Sequence, residues 1–70
     1  MKLTDAIEGR EYIVQRIDTE DDELDAFLFS RGCYSGEPIT VIFKKKSSLV
    51  VSIKDARYSI DAHLASSIIV

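Results

Sequence analysis

Short stretches of alternating apolar and polar residues dominate this chain and predict a mainly β protein. Five strands are predicted, at residues 11–18, 38–44, 49–54, 58–61 and 67–70. The second and third strands flank a polar segment and form an antiparallel hairpin. Because Arg16 marks one face of the first strand as solvated, we expect the opposite face to be buried. Six β-branched residues are predicted to form the core: Ile13, Ile17, Ile39, Val41, Val51 and Ile53.

One stretch, residues 18–32, has helical periodicity instead. Its apolar residues Leu24, Phe27 and Leu28 are spaced i, i+3 and i+4, which places them on one stripe of a helix. Thr19 is predicted as the N-cap, and Gly32 as the left-handed residue that ends the helix. The acidic residues near its start are favoured there by the helix dipole. This helix is expected to cover one end of the sheet.

Local signals complete the predicted architecture. Thr4 and Asp5 are expected to cap a single turn near the N-terminus, and residues 54–57 form a second tight turn. Asp61 is expected to cap one helical turn before the last strand. The sequence therefore predicts one domain, residues 1–70, with the fold of a small SH3-like β-barrel. It has five strands, one α-helix after the first strand and a short helical turn before the last.

Composition and charge narrow the classes of function. The 70-residue chain has a net charge of −3, which disfavours nucleic acid as a partner because Lys and Arg carry that affinity. Residues 1–32 hold nine acids and four bases, and residues 33–70 hold three acids and five bases, giving −5 and +2. This asymmetry can orient a protein partner. No apolar run approaches the length of a membrane span or signal peptide, so we expect a cytoplasmic protein without direct membrane insertion.

Candidate chemistry is sparse. His63 is the single histidine and its sequence neighbours do not complete a catalytic triad, so no catalytic residue is predicted. Cys33 follows the predicted helix C-terminus, which disfavours a reactive thiolate, and it is interpreted as a small apolar filler. The acidic run at residues 18–25 lacks the spacing of a calcium loop, and Lys44–Lys46 are interpreted as a solvated hairpin tip. No metal site and no cofactor are predicted.

Motifs along the whole chain resemble the ferrous-iron transport protein A family, FeoA. The family opens with an M-x-L-x-x-x-x-x-G stretch, matched here by Met1, Leu3 and Gly9. It continues with a loop between two glycines and an apolar strand, matched by Gly32-Cys33-Tyr34-Ser35-Gly36 and ITVI. A K-D-x-R-Y-x-I-D segment follows, matched by residues 54–61. This form is similar to members from clostridia-like bacteria.

The resemblance implies a non-enzymatic accessory protein of ferrous-iron uptake. Its implied partner is the cytoplasmic part of a ferrous-iron transporter, a FeoB-like GTPase permease, which would recruit it to the inner face of the cell membrane. The glycine loop and a separate pair, Arg57 and Tyr58, supply anchor-type side chains for protein contacts. The candidate partner-binding residues are Arg31, Gly32, Cys33, Tyr34, Gly36, Arg57 and Tyr58.

Two departures from the family pattern and one alternative bear on the partner. Arg31 stands where many members have Leu or Met, and Ser35 stands where many have Pro. A charge thus replaces an apolar group on the loop surface.

The alternative function is a detached SH3-like regulatory domain, similar to the C-terminal domain of iron-dependent transcriptional repressors, that binds a protein segment. The chain lacks a helix-turn-helix pattern, so it is not itself a repressor.

Overall fold

The computed structural model describes residues 1–70 and confirms a mainly β architecture. A 3-10 helix, Leu3–Asp5, opens the chain. The strands are β1 Glu11–Ile13, β2 Arg16–Ile17, β3 Pro38–Lys44, β4 Ser48–Ile53, β5 Ala56–Asp61 and β6 Ile68–Ile69. The helices are α1 Asp22–Ser30, between β2 and β3, and α2 Ala62–Ala65, just before β6.

The strands form two antiparallel sheets. The larger has the order β1-β3-β4-β5, and the smaller pairs β2 with β6. The predicted hairpin is present, with a register shift between Val41 and Phe43. Lys54 and Asp55 form the β4–β5 turn with positive φ angles of 48° and 67°, the conformation of a two-residue hairpin turn. The larger sheet does not close on itself, because β5 pairs with β4 alone.

The predicted first strand is broken in two, which corrects both its bounds and its inward residues. At the break, Val14 N–H donates to Glu37 O at 2.9 Å, whereas Gln15 N–H donates to Ile69 O at 2.7 Å. The chain thus leaves the larger sheet for the smaller one. Ile13 is 47% exposed and Val14 is 1% exposed, so the prediction for Ile13 is wrong. After the break the predicted alternation holds, because Arg16 is exposed and Ile17 is partly buried.

The core lies between the two sheets and under α1. Its members include the predicted residues Ile39, Val41, Val51 and Ile53. Nine further residues complete it: Leu3, Ala6, Val14, Leu28, Cys33, Leu49, Ile60, Ala65 and Ile68. The two ends of the chain also meet. Met1 N and Val70 O are 2.8 Å apart, as are Val70 N and Met1 O, which anchors the apolar C-terminal strand.

The helix caps differ in part from the predictions. Asp21, not Thr19, is the N-cap of α1, and its carboxylate accepts from Glu23 N at 3.0 Å and Leu24 N at 3.2 Å. Thr19 lies two residues before this N-cap, and its hydroxyl accepts a hydrogen bond from Asp21 N. No side chain caps the Leu3–Asp5 turn, contrary to prediction. Asp61 caps α2 as predicted, accepting from Leu64 N at 2.7 Å.

Candidate functional site

The residues predicted to contact a partner lie around the C-terminal end of α1 and along β5. Arg31 is the C-cap of α1 and its N–H donates to Leu28 O at 3.1 Å, while the N–H of Gly32 donates to Phe29 O at 3.0 Å. Its guanidinium carbon lies 4.6 Å from the centroid of the Phe27 ring and 5.9 Å from that of Tyr58. We call these three side chains, Phe27, Arg31 and Tyr58, the Arg31 cluster. The cluster brings together two predicted site residues from separate elements.

A pocket of about 150 Å³ opens beside the Arg31 cluster. Its walls come from α1, β4, β5 and β6, and six of its eight lining residues are hydrophobic. The lining consists of Phe27, Leu28, Arg31, Ile53, Tyr58, Ser59, Ile60 and Ile68. Three of the lining residues, Tyr58, Ser59 and Ile60, belong to β5, which is an edge strand of the larger sheet.

A second cluster, which we call the Lys54 cluster, consists of Phe29, Tyr34, Glu37 and Lys54. The Tyr34 ring packs on Phe29 with centroids 4.9 Å apart, and Lys54 Nζ lies 5.6 Å from the Tyr34 centroid. Lys54 Nζ also forms the molecule's one salt bridge, 2.5 Å from Glu37 Oε1. The hydrogen bond from Lys54 lowers the pKa of Glu37, and the same bond raises the pKa of Lys54. The cluster holds Tyr34 in a defined orientation.

The remaining loop residues shape this surface from beneath. Gly32 is buried and has a φ of +84°, a left-handed conformation that glycine adopts without steric cost. Cys33 is 1% exposed, as expected for an apolar filler, and burial raises the pKa of its thiol to about 11. Gly36 N–H donates to Val14 O at 2.8 Å, which ties the loop to the break after β1. Gly32 and Cys33 thus support the surface without forming its exposed part.

The two aromatic residues of α1 are more exposed than the sequence predicted, since Phe27 was assigned to the apolar stripe and Phe29 was not considered. Phe27 is 41% exposed and Phe29 is 65% exposed. Phe29 lies two residues from Phe27, a spacing that cannot place both rings on the same buried stripe, so the pattern itself signalled an exposed aromatic. Glu37 and Lys54 were also missed, because their pairing depends on the tertiary contact between the loop and the β4–β5 turn.

The other candidate groups are dispersed. No three side chains among His, Cys, Asp and Glu come together as a group that could hold a metal ion. At the hairpin tip, Lys44 Nζ donates to Thr4 O at 2.8 Å, and Lys45 Nζ lies 5.5 Å from the Phe43 ring centroid. His63 is exposed on α2. None of the helices combines the length and the apolar character that crossing a bilayer requires.

The sequence matches one protein-family model, that of the FeoA domain, over residues 1–70. The chain belongs to the FeoA family. The match covers the whole chain, so the loop, the helix and both clusters all lie within the FeoA domain. A search of curated proteins finds no match.

Solved structures resemble this FeoA domain closely in backbone. A crystal structure of an iron uptake regulatory protein, FeoA, has a TM-score of 0.87 at 23% identity, covering 97% of this chain and 91% of that one. FeoA from Stenotrophomonas maltophilia, solved with zinc and described as a prokaryotic SH3 domain protein, has a TM-score of 0.86 at 18% identity, covering 99% and 87%. At these identities the likeness establishes the fold, which is SH3-like as predicted.

A different class of protein shares the same fold. A manganese-dependent transcriptional repressor has a TM-score of 0.87 at 20% identity, covering 97% of this chain but 39% of the repressor chain. The FeoA domain therefore corresponds to one part of that larger protein. The resemblance between FeoA proteins and a repressor domain agrees with the relationship expected from the sequence.

Proposed function

We propose that this FeoA domain is a non-enzymatic accessory protein of ferrous-iron uptake that binds the cytoplasmic part of a GTP-hydrolysing iron transporter. The match of the FeoA family model to residues 1–70 carries this proposal. Names of structural relatives support it, since one is an iron uptake regulatory protein and another is described as a candidate activating factor for bacterial ferrous iron transport. In this role the domain works in the cytoplasm and reaches the membrane through its partner.

The proposed contact surface consists of the Arg31 cluster, the Lys54 cluster and the neighbouring exposed Arg57. Exposed aromatic and Arg side chains around an apolar pocket are typical of the residues that contribute most to binding energy at protein interfaces. Tyr34 is held by Phe29 and Lys54, so little side-chain entropy is lost when a partner covers it. Gly32 and Cys33 are buried beneath these groups, and Gly36 ties the loop to Val14.

A complementation experiment tests the function. Cells that lack this gene should take up radioactive ferrous iron more slowly, and the wild-type gene should restore uptake. Arg31→Glu and Tyr34→Ala should restore it poorly, because both change the proposed contact surface. Lys45→Glu is the matched control, since Lys45 also lies over a phenylalanine ring but at the hairpin tip. Normal ferrous-iron uptake without the gene would contradict the proposed function.

A regulatory domain that binds a protein segment is the second candidate, favoured by the fold shared with the manganese-dependent repressor. In that case the partner is a soluble protein. Affinity capture with the wild-type chain from separate membrane and soluble fractions distinguishes the two functions. Recovery of a ferrous-iron transporter from membranes supports the first, and recovery of a soluble regulator alone supports the second.

A further inference from the structure

We propose that the open edge of β5 binds an acidic, extended segment of the partner as an additional strand, with one apolar side chain of that segment entering the pocket beside Arg31. This inference rests on the proposed function, in which this side of the domain meets a protein partner. It specifies the chemistry of the bound segment and the way in which it binds. Strand addition of this kind uses backbone hydrogen bonds for affinity and pockets for specificity.

The first observation is the direction of the backbone groups of β5. Ala62 N–H donates to Ser47 O, and the pairing continues in register from Asp61↔Ser48 to Ala56↔Ile53. Hydrogen-bonded and non-hydrogen-bonded pairs alternate in an antiparallel ladder, so Tyr58 and Ile60 direct their backbone groups towards β4. Arg57 and Ser59 direct theirs away from β4, towards the open edge. Such an edge is a template for another strand.

The second observation is the position of the pocket. Tyr58, Ser59 and Ile60 of β5 form one wall, and Phe27 and Leu28 of α1 form another. A strand added outside β5 would alternate its side chains, and those on the inner face would point between β5 and α1. An apolar cavity of about 150 Å³ accommodates a group about the size of benzene. The pocket therefore fits one leucine or phenylalanine side chain.

The third observation is unpaired positive charge beside this edge. Arg31 lines the pocket and forms no salt bridge, and its one side-chain hydrogen bond goes to Ser30 Oγ at 3.1 Å. Arg57 is exposed on β5 and also lacks a carboxylate partner. Arg binds carboxylates through paired N–H groups, so both residues complement an acidic segment. Asp61 lies at the far end of β5, which favours placing the partner's carboxylates near the two arginines.

A titration of the isotope-labelled domain with a synthetic peptide tests this inference. The probe is an extended peptide of about eight residues that alternates Asp with Leu and Val, and the control peptide has Lys in place of Asp. The acidic probe should slow amide hydrogen exchange at Arg57 and Ser59 by about tenfold or more. Exchange at Tyr58 and Ile60, whose amides already face β4, should change less. The basic control peptide should bind about tenfold more weakly.

Two pairs of variants isolate the two parts of the proposal. Ser59→Pro removes an outward N–H from an edge position where proline is tolerated, and it should abolish probe binding, whereas Ser59→Ala should retain it. Arg31→Glu should weaken probe binding about tenfold or more, and Lys45→Glu should leave it unchanged. Probe binding without slowed exchange at Arg57 and Ser59 would overturn strand addition. If sedimentation instead shows a dimer of this chain formed through the edge of β5, the proposal that a partner segment occupies this edge is wrong.

Capture of the transporter separates this inference from the proposed function. If wild-type and Ser59→Pro chains capture the cytoplasmic part of the ferrous-iron transporter equally well, the proposed function stands and strand addition at β5 is wrong. If the wild-type chain captures no transporter, the proposed function is wrong, whatever the peptide does. Capture by the wild type and Ser59→Ala but not by Ser59→Pro supports both.

Discussion

Lys54 extends across Gly32. A Cβ atom on Gly32 would lie 2.8 Å from Lys54 Cδ and 2.9 Å from its Cε, closer than such atoms approach in proteins. The same side chain continues to Glu37, where Nζ lies 2.5 Å from Oε1. The missing side chain at residue 32 therefore leaves room for the Lys54 side chain to cross the loop after α1 on its way to Glu37.

Gly32→Ala should destabilise the domain and displace Lys54. The left-handed φ of +84° costs a residue with a Cβ about 1–2 kcal/mol, and the Lys54 side chain must also move away. Gly36→Ala is the matched control, because Gly36 has a φ of +92° but open space around its Cβ position. Chemical denaturation should show a loss of stability for both variants, at least as large for Gly32→Ala as for Gly36→Ala.

The pKa of Glu37 distinguishes the two glycine variants. In the wild type the hydrogen bond from Lys54 lowers this pKa below its ordinary value of 4.5. Gly32→Ala should return it towards that value, whereas Gly36→Ala should leave it low, as measured by NMR titration of the side-chain carboxyl. An unchanged pKa of Glu37 in Gly32→Ala would mean that the hydrogen bond between Lys54 and Glu37 does not require a glycine at residue 32.

Cys33 should make the domain less stable in alkali. Burial raises the pKa of its thiol from 9.0 to about 11, so the unfolded chain loses this proton at lower pH than the folded one. The stability linked to this group is fully present below pH 9 and is lost as the pH rises towards 11. The free energy of unfolding, measured from pH 8 to 11, should fall more steeply in the wild type than in Cys33→Ala. Equal slopes would contradict the assignment.

Truncation of Val14 should destabilise the domain much more than truncation of Ile13. Val14→Ala removes two buried methyl groups and should cost about 2 kcal/mol of unfolding free energy. Ile13→Ala changes an exposed side chain and should alter stability by about 0.5 kcal/mol or less. Urea denaturation of both variants provides the comparison. A larger loss for Ile13→Ala would restore the strand orientation predicted from the sequence.

Asp21→Ala should destabilise α1 by about 1 kcal/mol, because it removes the acceptor for Glu23 N and Leu24 N. Asp21→Asn keeps a side-chain oxygen in place and should retain most of that stability. Thr19→Ala should cost less than Asp21→Ala, since Thr19 contacts only Asp21 N at the helix start. Thermal unfolding followed by circular dichroism ranks the three variants. A larger cost for Thr19→Ala would identify Thr19 as the effective cap.

Sequence periodicity predicted much of the fold because most strands keep one alternation along their length. Ile39, Val41, Val51 and Ile53 are buried as predicted. The β4–β5 turn lies within the predicted residues 54–57 but is shorter, because Ala56 and Arg57 belong to β5. Periodicity failed at residues 11–18, where the chain passes from one sheet to the other. The N–H groups of Val14 and Gln15 donate to different parts of the structure, Glu37 O and Ile69 O, so the inward face of the strand changes at this point. The local sequence pattern does not reveal these tertiary contacts.

The candidate site was predictable only in part for a related reason. The glycine loop and the family motifs pointed to Tyr34 and Tyr58, and the departure from the family pattern pointed to Arg31; all three are at or near the surface. The pocket itself is formed by elements distant in sequence, from α1 to β6, and the open edge of β5 follows from how the sheets pair. Such features depend on tertiary structure, so side-chain patterns alone did not locate them.

The most direct test of the account is a binding titration between the isotope-labelled wild-type domain and the purified cytoplasmic GTPase part of a ferrous-iron transporter from the same organism. We expect saturable binding, with the largest NMR changes at Arg31, Tyr34 and residues 57–59. The Lys45→Glu variant should bind as the wild type does. Absence of binding at concentrations up to the millimolar range, or changes confined to the hairpin tip at residues 44–46, would contradict it.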